Sequence, residues 1–235
     1  MAESFRIFAI PVLLVAVIAY LLGSISFSII FTKMFNHVDI RTLGSGNAGM
    51  TNVLRSVGVK AAILTMIFDF GKCGVAVCIG RAIIRSVCEG YNYPVYYAQY
   101  GAYLAGLACV LGHIYPLYFG FRGGKGILST SAMVAFIDWR IFVVSVLTFV
   151  IVLALTKIVS VSSISAAIAF TVSNFIFTYF FDYRLHSSPY GPVPISFVWI
   201  TTGITLFMAM IIIWKHRANI IRLKNGTEQR LSVKH

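Results

Sequence analysis

Long apolar runs alternate with short polar interruptions along this chain, and the runs have membrane-crossing length. Ile7 to Thr32 is 26 residues without a charge. A helix needs roughly 20 apolar residues to cross a hydrocarbon core of about 30 Å. The apolar part of a secretory signal is only about 7–15 residues long, so the first run reads as a retained span. A polar, glycine-containing stretch follows from Lys33 to Lys60. Six more runs come after it: Ala61–Gly80, Ala98–Phe119, Ile127–Ile137, Ile141–Thr156, Ile164–Phe181 and Ile195–Trp214. The segments between them are a loop from Arg81 to Pro94, Arg122 to Gly126, a turn at Asp138–Arg140, a polar turn from Lys157 to Ser163, and a loop from Asp182 to Pro194. The run Ile127–Ile137 is short. At about 1.5 Å per residue it covers about half of the core, so it is either tilted and extended at its ends or partly re-entrant. The pattern predicts an all-α polytopic membrane protein, seven transmembrane helices in a single domain over residues 1–235.

Composition strengthens this reading. The chain is 59% hydrophobic and 11% charged, where a soluble domain carries about 25% charged residues. Seven spans place the termini on opposite sides. One side then carries 13 Lys and Arg residues. The other carries 5 (Arg6, Arg81, Arg85, Arg140 and Arg184), with Lys72 left inside the second span. Lys and Arg collect on the cytoplasmic side, so the N-terminus is expected outside and the C-terminus in the cytoplasm. The net charge of +12 thus follows from topology, or from anionic lipid or substrate, and no nucleic-acid partner is expected. Cys73, Cys78, Cys88 and Cys109 show no CxxC or zinc spacing, and the histidines form no HExxH, so no metal site is expected. On the third span Gly101, Ala105 and Cys109 are spaced by four, as are Ala102, Gly106 and Val110. Small residues at that spacing let membrane helices approach closely, which predicts a central position for this span.

Three constellations carry candidate chemistry, all on the predicted cytoplasmic side. In the first, Asp39 to Arg55, Gly44-Ser-Gly-Asn-Ala-Gly49 matches GxGxxG formally. The preceding element is a membrane helix rather than a strand, so the dinucleotide reading fails. What survives is either a phosphate cradle, with Ser45, Asn47, Thr51, Asn52 and Arg55 as donors, or a polar turn rich in local caps. The second joins Gly112-His-Ile-Tyr-Pro116 to Arg122-Gly-Gly-Lys-Gly126. It is not a Walker A loop, because residue 119 is Phe and Lys125 is followed by Gly. Lys125 between glycines still suits an anionic oxygen, with a basic topology-setting turn as the alternative. The third runs from Lys215 to Glu228, where His216, Asn219 and Leu223 share a helical face. Asp69 and Lys72 lie within the second span at i, i+3. They either pair with each other or face an active cavity, because a lone charge in a span is costly.

Taken together, these motifs resemble the bacterial acyl-phosphate:glycerol-3-phosphate acyltransferases, the PlsY-type family, over most of the chain. The carriers are Gly-Ser-Gly-Asn with Thr-Asn-Val-Leu-Arg at 44–55, Asp-x-x-Lys at 69–72, Gly-His with Pro at 112–116 and Gly-Gly-Lys-Gly at 123–126. Val-Ser-Val-Ser-Ser at 159–163 and His-Arg-x-Asn-Ile with Gly-x-Glu at 216–228 complete them. The resemblance implies a seven-helix fold in the bacterial cytoplasmic (inner) membrane with a cytoplasmic active site. It implies transfer of a fatty acyl group from acyl phosphate to the sn-1 hydroxyl of glycerol 3-phosphate. The products are lysophosphatidate and phosphate, in the first acylation step of phospholipid synthesis, with no cofactor. It assigns catalysis to Ser45, Lys125, His216 and Asn219. It assigns phosphate binding to Arg55, Asn47, Gly123, Gly124, Ser163 and Glu228.

This chemistry suits the residues. Two phosphate-bearing substrates call for several cations, and an acyl phosphate is already activated. The protein has only to position the hydroxyl, accept its proton and stabilise the oxyanion. No histidine is followed five residues later by Asp, the soluble acyltransferase signature. Direct transfer is therefore expected, with a substrate phosphate oxygen or His216 as base. An anion transporter would share the cationic loops, but the chain shows no inverted repeat. A non-catalytic assembly subunit would explain the packing but not three converging polar motifs.

Overall fold

The computed structural model describes residues 2–230 and is helical throughout, with no strand among them. It divides into two compact units, one ending at Ile137 and the other beginning at Asp138. Among the described residues, six helical segments are long and apolar enough to cross a membrane, and Ile127–Ile137 is a shorter apolar helix.

The first unit opens with α1 (Ala2–Gly23) and α2 (Phe27–Asn36). The apolar run read as one span is thus broken at Ser24–Ser26. The Ser24 hydroxyl donates back to the Tyr20 carbonyl at 2.8 Å, and the Ile25 carbonyl, freed from helix bonding, accepts from Lys72 Nζ at 2.6 Å. Side chains that capture backbone groups in this way are a recognised cause of helix breaks. The polar stretch that follows contains a short 3₁₀ turn, Ile40–Thr42, and α3 (Met50–Ser56).

Next comes α4 (Val59–Tyr91), whose 33 residues span about 50 Å at 1.5 Å per residue. The segment from Arg81, expected to be a loop, continues as helix. Arg85 and Glu89 form an i, i+4 ion pair at 2.8 Å, and the helix stops only at Asn92, in the left-handed conformation. It is followed by α5 (Tyr97–Ile114) and α6 (Ile127–Ile137). As the small-residue spacing predicts, α5 packs against α1, α4 and α6. Gly80 on α4 faces Gly101 on α5, where an added Cβ would come within 2.6 Å of the partner carbonyl. Gly23 is pressed against the Cys109 backbone just as closely.

Because backbone lies on both sides of the Gly23 contact, Gly23→Ala is expected to force α1 and α5 apart. The cost should be about 1–3 kcal/mol, as for overpacking generally. Thermal unfolding in detergent should show the loss. Gly203→Ala, which meets nothing within 4 Å, should unfold like the wild type.

The second unit contains α7 (Trp139–Thr156), α8 (Val159–Ile176), α9 (Ile195–Lys215) and α10 (Arg217–Lys224). The turn expected over Lys157–Ser163 is only two residues long. Lys157 takes a left-handed conformation (φ 60°), and α8 begins at Val159. The end of α8 widens into a π-helical stretch, Phe177–Arg184. Arg140 anchors it by bonding both Asp138 (2.6 Å) and Asp182 (2.9 Å) while lying over the Phe177 ring.

Candidate active site

In the first unit the 39–49 loop is built around one buried amide. Asn52 sits on α3, and its Nδ2 lies within hydrogen-bond distance of the carbonyls of Ile40 (3.2 Å), Leu43 (3.0 Å) and Asn47 (3.1 Å). Its Oδ1 accepts the Ser45 N–H at 3.0 Å. Wrapping the chain this tightly needs positive φ at Gly44 (53°) and Gly46 (70°), which glycine adopts without a Cβ penalty. Underneath lies an apolar bed of Ile29, Ile40, Ala48, Val53, Ala61 and Ala62. Ser45 and Arg55 are exposed on top of it, and Asn47 is half-buried. Asn52, read from sequence as one of several donors to substrate, is committed to folding the loop.

Arg41 ties this loop to the next. Its guanidinium forks Asp39 (Nε to Oδ1 3.0 Å, Nη2 to Oδ2 2.8 Å) and donates Nη1 to the carbonyls of Phe119 (2.7 Å) and Arg122 (3.2 Å). The side-chain hydrogen bond from Arg41 holds the Asp39 carboxyl below its ordinary range, against the opposing effect of burial. Arg41 lies within the Asp39–Arg55 constellation, and its role is to tie the two loops together rather than to offer a free donor.

The Gly123–Gly124 segment runs back along the end of α5. Gly123 N–H donates to the Ile114 carbonyl and Gly124 N–H to the His113 carbonyl, both at 3.2 Å. These two amides are therefore already used, and the glycines serve close approach. A Cβ on Gly124 would meet His113 Nε2 and, at 2.6 Å, the Ala48 carbonyl of the first loop. Half-buried Lys125 follows, and Gly126 (φ 85°) accepts from Thr130 N–H at 2.8 Å to open α6. Lys125 thus stands at a helix N-terminus, where the backbone dipole adds positive potential. The structure brings Ser45, Asn47, Gly123, Gly124 and Lys125 onto two loops in contact, with Arg55 one helix turn beyond.

The second unit gathers another set where α9 passes into α10. The helix breaks at His216, so His216 caps both helices and Asn219 lies in the first turn of α10 rather than on one continuous helix with it. Both are buried. His216 Nδ1 is 2.8 Å from the Ile212 carbonyl. A carbonyl only accepts, so Nδ1 carries the proton, and Nε2 is the accepting nitrogen of the neutral ring. Glu228 Oε1 accepts from Asn219 Nδ2 (2.6 Å) and from Ser160 Oγ (2.7 Å), and Oε2 accepts from Arg222 Nε (2.7 Å). A carboxylate cannot donate, so the amide of Asn219 is turned with its oxygen away from Glu228. Burial raises the Glu228 carboxyl, but the bonds from Asn219, Ser160 and Arg222 together more than offset it, leaving the group below its ordinary value. Ser163, expected to bind substrate, is buried and donates to the Val159 carbonyl at 2.8 Å. Ser160, one turn earlier, is the serine that joins the network. Only its presence inside the Val-Ser-Val-Ser-Ser motif could have pointed to it.

The comparisons agree across nearly the whole chain. A family profile described as Glycerol-3-phosphate acyltransferase matches residues 13–226. A glycerol-3-phosphate acyltransferase of Shouchella clausii is 37% identical over 216 residues, covering 92% of this chain and 94% of the relative. One from a Thermoanaerobacter species is 37% identical over 224 residues, covering 94% and 96%. The crystal structure of PlsY, an integral membrane glycerol 3-phosphate acyltransferase, in its glycerol 3-phosphate form superposes with a TM-score of 0.73. It has 32% identity and covers 94% of this chain and 96% of that one. Its lysophosphatidic acid form gives a TM-score of 0.69 at 30% identity, covering 94% and 95%. With the motif residues in place on both units and the match running nearly end to end, the chain belongs to the glycerol-3-phosphate acyltransferase family.

Proposed function

We propose that this protein transfers a fatty acyl group from acyl phosphate directly to the sn-1 hydroxyl of glycerol 3-phosphate, releasing lysophosphatidate and inorganic phosphate. The observation that carries this reading is the near-complete match to PlsY in forms holding glycerol 3-phosphate and lysophosphatidic acid. Seven spans acting as one catalytic domain, with the N-terminus outside and the C-terminus in the cytoplasm, complete the reading. The 13-to-5 bias of Lys and Arg supports that orientation in a bacterial cytoplasmic membrane.

In this reading Ser45, Asn47 and Arg55 orient the acceptor, with Arg55 supplying a bidentate donor for its phosphate. Lys125, His216 and Asn219 hold the acyl phosphate. Gly123 and Gly124 give the second loop its close fit, Ser163 supports the second unit's set from α8, and Glu228 fixes the Asn219 amide. The glycerol oxygen attacks the acyl carbon, the carbon–oxygen bond to phosphate breaks, and the hydroxyl proton ends on the released phosphate, directly or through His216 Nε2. No acyl-enzyme forms.

Purified protein in detergent, given acyl phosphate and glycerol 3-phosphate, should release phosphate in proportion to lysophosphatidate formed. Turnover with acyl-CoA and silence with acyl phosphate would assign a different donor. An acyl group trapped on Ser45 with labelled donor and no acceptor would refute direct transfer. Uptake of glycerol 3-phosphate into vesicles without turnover would leave a transporter.

A further inference from the structure

An Asp, a Lys and a His lie buried together in the first unit, outside the residues assigned to substrate. Asp69 and Lys72 on α4 and His113 near the end of α5 have side chains 1%, 4% and 4% exposed. Charges at such depth are costly in a membrane and survive where something uses them. The Lys72 ammonium has three N–H groups and three partners. It meets Asp69 Oδ1 at 2.7 Å, the Ile25 carbonyl at 2.6 Å and His113 Nδ1 at 3.2 Å. An ammonium can only donate, so His113 Nδ1 accepts and the ring proton sits on Nε2. That edge of the ring faces Gly124, whose Cβ position it would overlap. Gly124 is boxed in on its other side by the Ala48 carbonyl and is hydrogen-bonded to the carbonyl of His113 itself. The α1–α2 break, α4, α5 and the two glycine loops therefore meet at one imidazole whose tautomer and orientation are set by Lys72.

We propose that Lys72, held by Asp69, orients His113 as a positioning residue that sets the Gly123–Lys125 segment against the Gly44–Gly49 loop for binding the acceptor's phosphate. This rests on the reading that the first unit's loops take glycerol 3-phosphate. An apolar replacement could fill the same volume and preserve the helix packing. It could not hold the ring edge against Gly124, and the Ala48 side of the loop would lose its stop.

The test is steady-state kinetics on the full-length protein in detergent, with acyl phosphate saturating and glycerol 3-phosphate varied, beside thermal unfolding of each variant. The double variant D69N/K72M removes both charges together, so no uncompensated charge is left buried. It should unfold somewhat below the wild-type temperature, because the Ile25 carbonyl loses its Lys72 donor, and it should raise KM for glycerol 3-phosphate by about tenfold or more, within the range expected for a sub-ångström to 1 Å displacement. A merely structural role would lower the unfolding temperature and the active fraction, hence kcat, and leave KM unmoved. H113L should raise KM similarly. H113Q, whose amide N–H reaches about as far as Nε2, should recover most of the loss. KM values within about twofold of wild type in both D69N/K72M and H113L would overturn the proposal. If the double variant does not fold, the H113L and H113Q pair decides, equal KM values counting against it. A silent wild type would fall on the functional reading, whereas an active wild type with unmoved KM values falls on the positioning cluster alone.

Discussion

Gly124→Ala is expected to lower kcat/KM for glycerol 3-phosphate by about a hundredfold or more while the protein stays folded. The added methyl would meet the His113 ring on one face and the Ala48 carbonyl at 2.6 Å on the other. Neither neighbour can yield easily. The ring is held by Lys72 at 3.2 Å, and a backbone carbonyl in a loop packed around Asn52 has no rotamer to escape into. The two loops must therefore separate by a substantial fraction of an ångström. A displacement near 1 Å in groups that position a reacting substrate costs about 10²-fold in rate. The helix core is not involved, so thermal unfolding should change little. Gly71→Ala, on α4 with nothing within 4 Å of the new methyl, is the matched control and should keep wild-type kinetics. Activity of Gly124→Ala within about threefold of wild type would mean that the contact between the loops does not position substrate.

Local pattern in the sequence carries the part of this fold that depends on neighbours along the chain. The apolar runs and the central position of α5 follow from residue type and spacing alone. Long-range partners decide the rest. The break at Ser24–Ser26 interrupts an uncharged run. It is stable because Lys72, 47 residues on, satisfies the Ile25 carbonyl. The extension of α4 past Gly80 reads as loop because Arg81, Arg85 and Glu89 are charged, yet an i, i+4 pair and the absence of proline before Asn92 keep it helical. The glycines at 123 and 124 suggest phosphate-facing amides. Only the structure reveals that both N–H groups are bonded to the end of α5 and that the glycines serve close packing. Asn52 likewise looks like one more donor until its contacts with four backbone groups of its own loop are seen. In each case the residue type is legible as polar or small, and the partner that gives it meaning is not.

Glu228→Gln is expected to cut kcat/KM by about a hundredfold, and the loss should be coupled to Asn219. Glu228 receives three donors, from Ser160, Asn219 and Arg222, which a carboxylate can accept and a carboxamide cannot. One end of the Gln amide would place N–H groups against the N–H groups of Asn219 or Arg222. The Asn219 amide, buried at the joint between α9 and α10, would then turn away from the orientation that presents its oxygen. Residues acting through one group are strongly non-additive. Glu228→Gln should therefore cost little further activity in an Asn219→Ala background. Full additivity of the two losses would sink this account, because it would make Glu228 act elsewhere.

The same network predicts a pH dependence. The Glu228 carboxyl lies below its ordinary value of 4.5 in the folded protein. Its stabilisation is therefore fully present above about pH 4.5 and is lost as pH falls through the lowered folded value. The carboxamide of Glu228→Gln does not titrate in this range. The wild type should thus unfold at a higher temperature than the variant from neutral pH down to about 5, and the gap should close as pH falls below 4.5. A gap that stays constant across that range would show that the charge of Glu228, as distinct from its shape, contributes nothing to holding α10 and α8 together.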